Sequence, residues 1–229
     1  MIKEINFIYK GNKGYCTSLL YNLRRSGMLF SYAVVLTGGI ATGKSSTVQL
    51  FLEDGFFVID ADKVAHKMLD IHKNKVSDLF GEEYIIDGSV NRKKLGGLIF
   101  STPHEKKRLE ELLHPLIFNE IERLAKEQDR LKKPYIIDIP LFFETKRYPI
   151  KDSIVVYTPE NLQLERLMRR DSSTKDEAQA RIDSQLSIEK KRVLSTYIID
   201  NSQGLRELQR EYVKVKNQIL QDFSKEQPC

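Results

Sequence analysis

The sequence predicts an α/β fold: a parallel five-stranded sheet flanked by helices, with a helical insertion beside it. Two observations carry this expectation. Five short apolar runs rich in β-branched residues alternate with stretches whose apolar residues recur at helical spacing. The first of these runs also ends in glycines that lead directly into a helical pattern.

That first run is residues 32–37 (YAVVLT). Residues 44–53 then read as a helix with Val48, Phe51 and Leu52 on one face and Gly55 as its C-cap. Residues 56–60 (FFVID) form a second strand, followed by a helix through Ala65, Met68 and Leu69. Residues 91–128 are mostly helical, with Leu95, Leu98 and Ile99, then Leu109, Leu112, Leu113, Leu116 and Ile117, at helical spacing. His114 and Pro115 are expected between helical stretches of this insertion. Residues 135–139 (YIIDI) and 153–157 (SIVVY) are further strands, closed by Pro140 and Pro159. Helices over 160–170 and 175–188, a strand over 197–199 and a helix from about Leu205 complete the order.

A chain of 229 residues with 41% hydrophobic content suits one domain with an inserted subdomain. The net charge of +5 is spread over segments such as EKKRLEELLHP, where bases alternate with acids as on solvated helices. No nucleic-acid partner is expected from that pattern, and no membrane partner, since no apolar run approaches the roughly 20 residues that span a bilayer. Cys16 and Cys229 make neither a disulfide framework nor a metal cluster, which points to a reducing, cytoplasmic setting. Residues 1–27 stand apart, with Lys3, Lys10, Lys13, Arg24 and Arg25 against Glu4 and no clear periodicity. They read as a leader or non-native extension, with Met28 as the true start.

Residues 38–45 (Gly38, Gly39, Ile40, Ala41, Thr42, Gly43, Lys44, Ser45) fit the phosphate-binding pattern G-x-x-x-x-G-K-[ST] between a strand and a helix. The glycines let backbone N–H groups curl toward phosphates, and the helix N-terminus adds its positive end. Lys44 can reach the β- and γ-phosphates, and the Ser45 hydroxyl can ligate Mg²⁺. Such a loop fixes nucleotide binding without saying what is done with the nucleotide. Guanine specificity is not expected, because the nearest string, Asn74-Lys75-Val76-Ser77, lacks the needed acid and comes too early.

Asp60 and Asp62 close the second strand, spaced to point the same way if the strand conformation persists. Either could accept the proton of an attacking hydroxyl, hold Mg²⁺ through water, or N-cap the next helix. Asp138, inside an apolar strand, needs a partner such as a metal-bound water, as at a Walker B-like position. Arg166, Arg169 and Arg170, on the helix after the Pro159 strand, could reach over the nucleotide and neutralise transferring phosphate charge or could form a solvated basic face, since i,i+4 spacing puts Arg166 and Arg170 on one side and leaves Arg169 off it.

Together these residues resemble the dephospho-coenzyme A kinase family. The likeness runs through LTGGIATGKS (36–45), VIDADKVAHKML (58–69), VNRKKLGGLIF (90–100), LLHPLI (112–117), DIPLFFE (138–144), QLERLMRRD (163–171), RIDSQ (181–185) and YIIDNSQG (197–204). The resemblance implies a P-loop kinase fold over 28–229, with a substrate-binding insertion at about 63–130 and a lid at about 166–190. It also implies ATP and Mg²⁺ as cofactors and dephospho-CoA as the small-molecule substrate. By resemblance, Asp62 is the general base, and Lys44, Arg166 and Arg170 stabilise the transferred phosphoryl group. Residues 39–46, including Ser46 where the family usually has Thr, would hold the nucleotide, with Asn201 near the adenine. Arg92, His114, Pro140 and Glu144, with Asp62, would line the CoA side. Ser195-Thr196 replaces the family's common Ala-Asp. The activity so implied is transfer of the γ-phosphate of ATP to the 3′-hydroxyl of dephospho-CoA. Another small-molecule P-loop kinase, acting on a nucleoside or nucleotide, is the alternative.

Overall fold

A computed structural model describes residues 29–225, so the leader expected at residues 1–27 lies outside the described residues. Strands β1 (Ala33–Gly38), β2 (Val58–Asp60), β5 (Tyr135–Asp138), β6 (Asp152–Tyr157) and β7 (Tyr197–Asp200) form one five-stranded sheet in the order β2-β5-β1-β6-β7. All its pairings are parallel, with Leu36 opposite Asp138 and Asp60 opposite Asp138 on the other side. Central β1 is buried on both faces, which is why it reads as an unbroken apolar run. The loop leaving it therefore opens into the crevice at the carboxyl ends of the strands, where such sheets bind ligands.

Side-chain alternation divides the core. Val34, Leu36, Ile136, Ile154 and Val156 face helices α1 (Lys44–Glu53) and α10 (Leu205–Lys225). On α10 the residues Leu208, Tyr212, Val215, Ile219 and Phe223 recur every three or four positions and are all buried. Val35, Ile59 and Ile137 face the other way, into a cluster with α2 (Ala61–Ile71), α4 (Arg92–Ser101) and α5 (Pro103–Asp129). Helix α3 (Lys73–Phe80) and a small hairpin, β3 (Ile85–Ile86) with β4 (Ser89–Val90), link α2 to α4.

Four local expectations are corrected. On α1 the buried residues are Thr47 and Phe51, and Leu52 is exposed. Phe51 sets this face by packing edge-on against Phe56 and Tyr212. His114 and Pro115 lie within α5, not between helices. An internal proline costs about 3 kcal/mol, but Leu109, Leu113, Ile117, Phe118 and Ile121 are all buried along one side of α5. At roughly 1.5–3 kcal/mol for each large apolar side chain, that burial outweighs the proline. The helix expected over 175–188 is two: α8 (Lys175–Asp183) and α9 (Ile188–Leu194). The Ser187 hydroxyl accepts the Lys190 N–H and starts the second. Finally, the strand ends at Asp60, so Asp62 lies in the first turn of α2.

Candidate active site

The loop from Gly38 to Ser45 turns through two left-handed residues, Ala41 (φ 59°) and Gly43 (φ 92°). Gly43 is the N-cap of α1, and neither a side-chain cap nor an acid occupies the helix's first turn. Its leading N–H groups are thus open to an anion. Ser45 and Ser46 are exposed in that turn.

The loop is braced from below. Asn201, buried after β7, donates from Nδ2 to Thr42 O at 2.8 Å, and a Cβ on Gly43 would come within 2.2 Å of that nitrogen. Arg166, on α7 (Glu160–Asp171), donates to Asn201 O at 2.9 Å and to the Thr158 hydroxyl at 3.2 Å. The Ile40 N–H donates to Gln185 Oε1 at 3.1 Å. Arg170 is half exposed and paired with Asp171, which also receives Arg181. Of these arginines, Arg166 is tied to the segments that brace the loop, while Arg170 is tied to Asp171 on its own helix.

Lys44 Nζ reaches both oxygens of Asp138, at 2.5 and 2.7 Å. Asp138 is buried at the end of β5, and that burial pushes its carboxyl above the usual range against the pull of Lys44. The ion pair answers the need for a partner that a charge in an apolar strand creates.

The two acids after β2 divide their tasks. Asp60 caps α2 by accepting the Lys63 N–H at 2.9 Å. Asp62 is left with Oδ1 buried and without a hydrogen-bond partner among the described residues. Burial raises its carboxyl to about 6; Lys44 opposes that rise, while Asp138 and Asp60 add to it. A carboxylate so placed is ionised at neutral pH and basic enough to take a hydroxyl proton.

Pro140 and Glu144 converge on a residue the sequence reading missed. Lys191 of α9 is fully buried, with Nζ donating to Gly38 O (3.0 Å), Pro140 O (3.1 Å) and Glu144 Oε1 (2.9 Å). The available signal was a lysine three residues after Ile188, in phase with the buried face of α9. Arg92, in the first turn of α4, is engaged with Asp70 at 2.5 Å. His66 lies nearby, and burial, then Arg92, hold its imidazole below the ordinary value. His114 sits partly buried within α5.

Among the described residues no group of three or more His, Cys, Asp and Glu side chains could hold a metal ion. A divalent ion here fits only as Mg²⁺ commonly binds, through one or two protein oxygens with phosphate and water supplying the rest. The Ser45 hydroxyl, exposed in the first turn of α1, suits that pattern. No helix among the described residues is long and apolar enough to cross a membrane.

The sequence model of the dephospho-CoA kinase family matches residues 32–207. A dephospho-CoA kinase of Sulfurimonas denitrificans is 50% identical over 184 residues, covering 80% of this chain and 92% of that one. Its counterpart in Helicobacter pylori is 41% identical over 196 residues, covering 84% of this chain and all of that one. Among solved structures, dephospho-CoA kinase from Campylobacter jejuni matches with a TM-score of 0.65 and 34% identity, over 83% of this chain and 98% of that one.

Proposed function

The chain belongs to the dephospho-CoA kinase family, and on that premise we propose that it transfers the γ-phosphate of ATP to the 3′-hydroxyl of dephospho-CoA, giving coenzyme A and ADP. The observation that carries the site reading is the buried, unpartnered Oδ1 of Asp62 beside the Lys44–Asp138 pair.

The acceptor oxygen attacks the γ-phosphorus, its proton passes to Asp62, and the bond from phosphorus to the leaving ADP oxygen breaks. Lys44 leaves Asp138 to meet the β- and γ-phosphates, and the open N-terminus of α1 faces the phosphate chain. Residues 39–46 cradle the nucleotide. Arg166, and Arg170 once it swings in from Asp171, neutralise charge on the transferring group. The Ser45 hydroxyl would hold Mg²⁺, which when bound would neutralise charge on the phosphate oxygens. Arg92, His114, Pro140 and Glu144 serve the CoA side, within an insertion spanning about 63–130. The segment at about 166–190 acts as a lid that excludes water, and Asn201 lies toward the adenine end. A cytoplasmic setting fits the two-cysteine sequence.

A coupled ADP-release assay tests the reading, with dephospho-CoA beside nucleosides and nucleoside monophosphates. Turnover with dephospho-CoA is expected. Turnover with a nucleoside or nucleotide instead would install the alternative acceptor class, and nucleic-acid-stimulated hydrolysis without transfer would end the kinase reading.

A further inference from the structure

A lysine with no exposed surface is rare, because taking an ammonium out of water costs several kcal/mol unless its hydrogen bonds are well met. Filling the space would need only a leucine or methionine. What the ammonium of Lys191 adds is a fixed relation among three oxygens on two segments: Gly38 O where the P-loop begins, and, in the strap that follows β5, Pro140 O and Glu144 Oε1 of helix α6 (Phe142–Thr145). The junction is wider than the lysine alone. The Thr37 hydroxyl also donates to Pro140 O, at 2.9 Å, and Glu144 Oε1 also accepts the Leu186 N–H, at 3.0 Å. Leu186 follows Gln185, whose side chain holds the Ile40 N–H of the P-loop. The connector between α8 and α9 is therefore tied at once to the loop and to the strap at 140–144. Lys191 also lies close enough to Lys44 for the two charges to repel.

We propose that Lys191 is a positioning residue for phosphoryl transfer, fastening the start of the P-loop to the acceptor-side strap at Pro140 and Glu144. The proposal rests on the kinase reading above. In-line transfer needs the acceptor hydroxyl and the γ-phosphorus held to within a fraction of an ångström, and a misplacement of about 1 Å can cost around a hundredfold in rate. Lys191 touches neither reactant, yet it sets the spacing between the segment that carries the donor and the segment that carries the acceptor. Its loss should leave the loop's own N–H groups able to bind ATP while spoiling the alignment of the acceptor.

The test is Lys191→Met, assayed at a temperature where circular dichroism shows it folded. ADP release and phosphorylated product are measured separately, with wild type in parallel. The expected result is a kcat for transfer at least about tenfold lower, a KM for ATP within about threefold of wild type, and a larger share of ADP released without product. A purely structural lysine would lower the unfolding temperature and leave that split unchanged, so a folded variant with wild-type kcat and coupling overturns the proposal. Should Lys191→Met not fold, the substitution is made on a Glu144→Gln background, where no buried carboxylate is left without its counter-charge, and compared with Glu144→Gln alone. A further loss of about tenfold in kcat supports the clamp, and no further loss sinks it. Failure of wild type to phosphorylate dephospho-CoA would fall on the kinase reading, whereas equal behaviour of wild type and variant falls on Lys191 only.

Discussion

Asp60 accepts the N–H of Lys63, and because it does so, Asp62 two residues later is spared capping work and keeps one carboxylate oxygen buried without a partner. Capping and proton transfer make opposite demands. A cap oxygen is tied to a backbone donor, whereas a general base must keep a lone pair for the substrate. Asp62→Asn should therefore cut kcat by roughly 10²–10⁴ while changing ATP affinity little. In wild type, kcat/KM should fall on the acid side with an apparent pKa near 6, as protonation removes the base. Steady-state rates from pH 5 to 8 read both, and wild-type turnover in Asp62→Asn would remove the assigned role.

The same carboxyl makes a prediction about stability with the opposite sign. Its folded-state value of about 6 lies above the unfolded value of 3.8, so the folded protein binds more protons between these limits. This contribution to stability is present below about pH 4 and is lost as pH rises through 6. Well above pH 6, an ionised Asp62 costs the fold about 3 kcal/mol. Asp62→Asn should be more stable than wild type by about that amount at pH 7.5, with the gap closing near pH 4. Urea unfolding at the two pH values measures it, and a pH-independent gap would show that the charge is not the cause.

Lys44 faces a similar division, since it serves Asp138 in this structure and serves phosphate in the proposed reaction. Lys44→Ala should abolish detectable turnover and also leave Asp138 buried without its ion-pair partner. Breaking a buried pair by removing one partner typically costs about 3–5 kcal/mol, and the partial exposure of Lys44 places this case toward or below the lower end. Adding Asp138→Asn to Lys44→Ala should restore much of the lost stability and none of the activity. Thermal unfolding paired with ADP release separates the two effects.

These contrasts show what the sequence could and could not carry. The P-loop was legible because its chemistry is local: eight consecutive residues, a strand before and a helix after, define the fold of the loop and its ligand class. The sheet was legible because strands buried on both faces are continuous apolar runs, as in residues 34–36 and 135–137. The split between α8 and α9 was hidden because the serine that starts α9, Ser187, lies inside the stretch 175–188 that reads as one helix. That misplaced boundary in turn hid Lys191, whose burial depends on Gly38, Pro140 and Glu144, each more than 40 residues away in the chain. The hairpin at β3 and β4 left only an Asp-Gly pair as its signal, with two residues per strand. Pro115 misled for the converse reason, since a strong local rule was overridden by apolar burial along the rest of α5.

Two glycines with positive φ separate conformational strain from function. Gly43 has φ 92°, and a Cβ there would stand 2.2 Å from Asn201 Nδ2. Gly55 has φ 79°, and a Cβ there meets nothing within 4 Å. Each alanine variant should lose about 1–2 kcal/mol for placing an L-residue in the left-handed region. Gly43→Ala must in addition push Asn201 off Thr42 O or shift the loop itself, at the point where α1 presents its first N–H groups. It should therefore bind ATP at least tenfold more weakly, while Gly55→Ala binds ATP as wild type does. Calorimetric titration of ATP into both variants, beside their unfolding curves, decides the matter. Equal ATP affinities at matched stability loss would mean that the brace from Asn201 has no part in shaping the phosphate site.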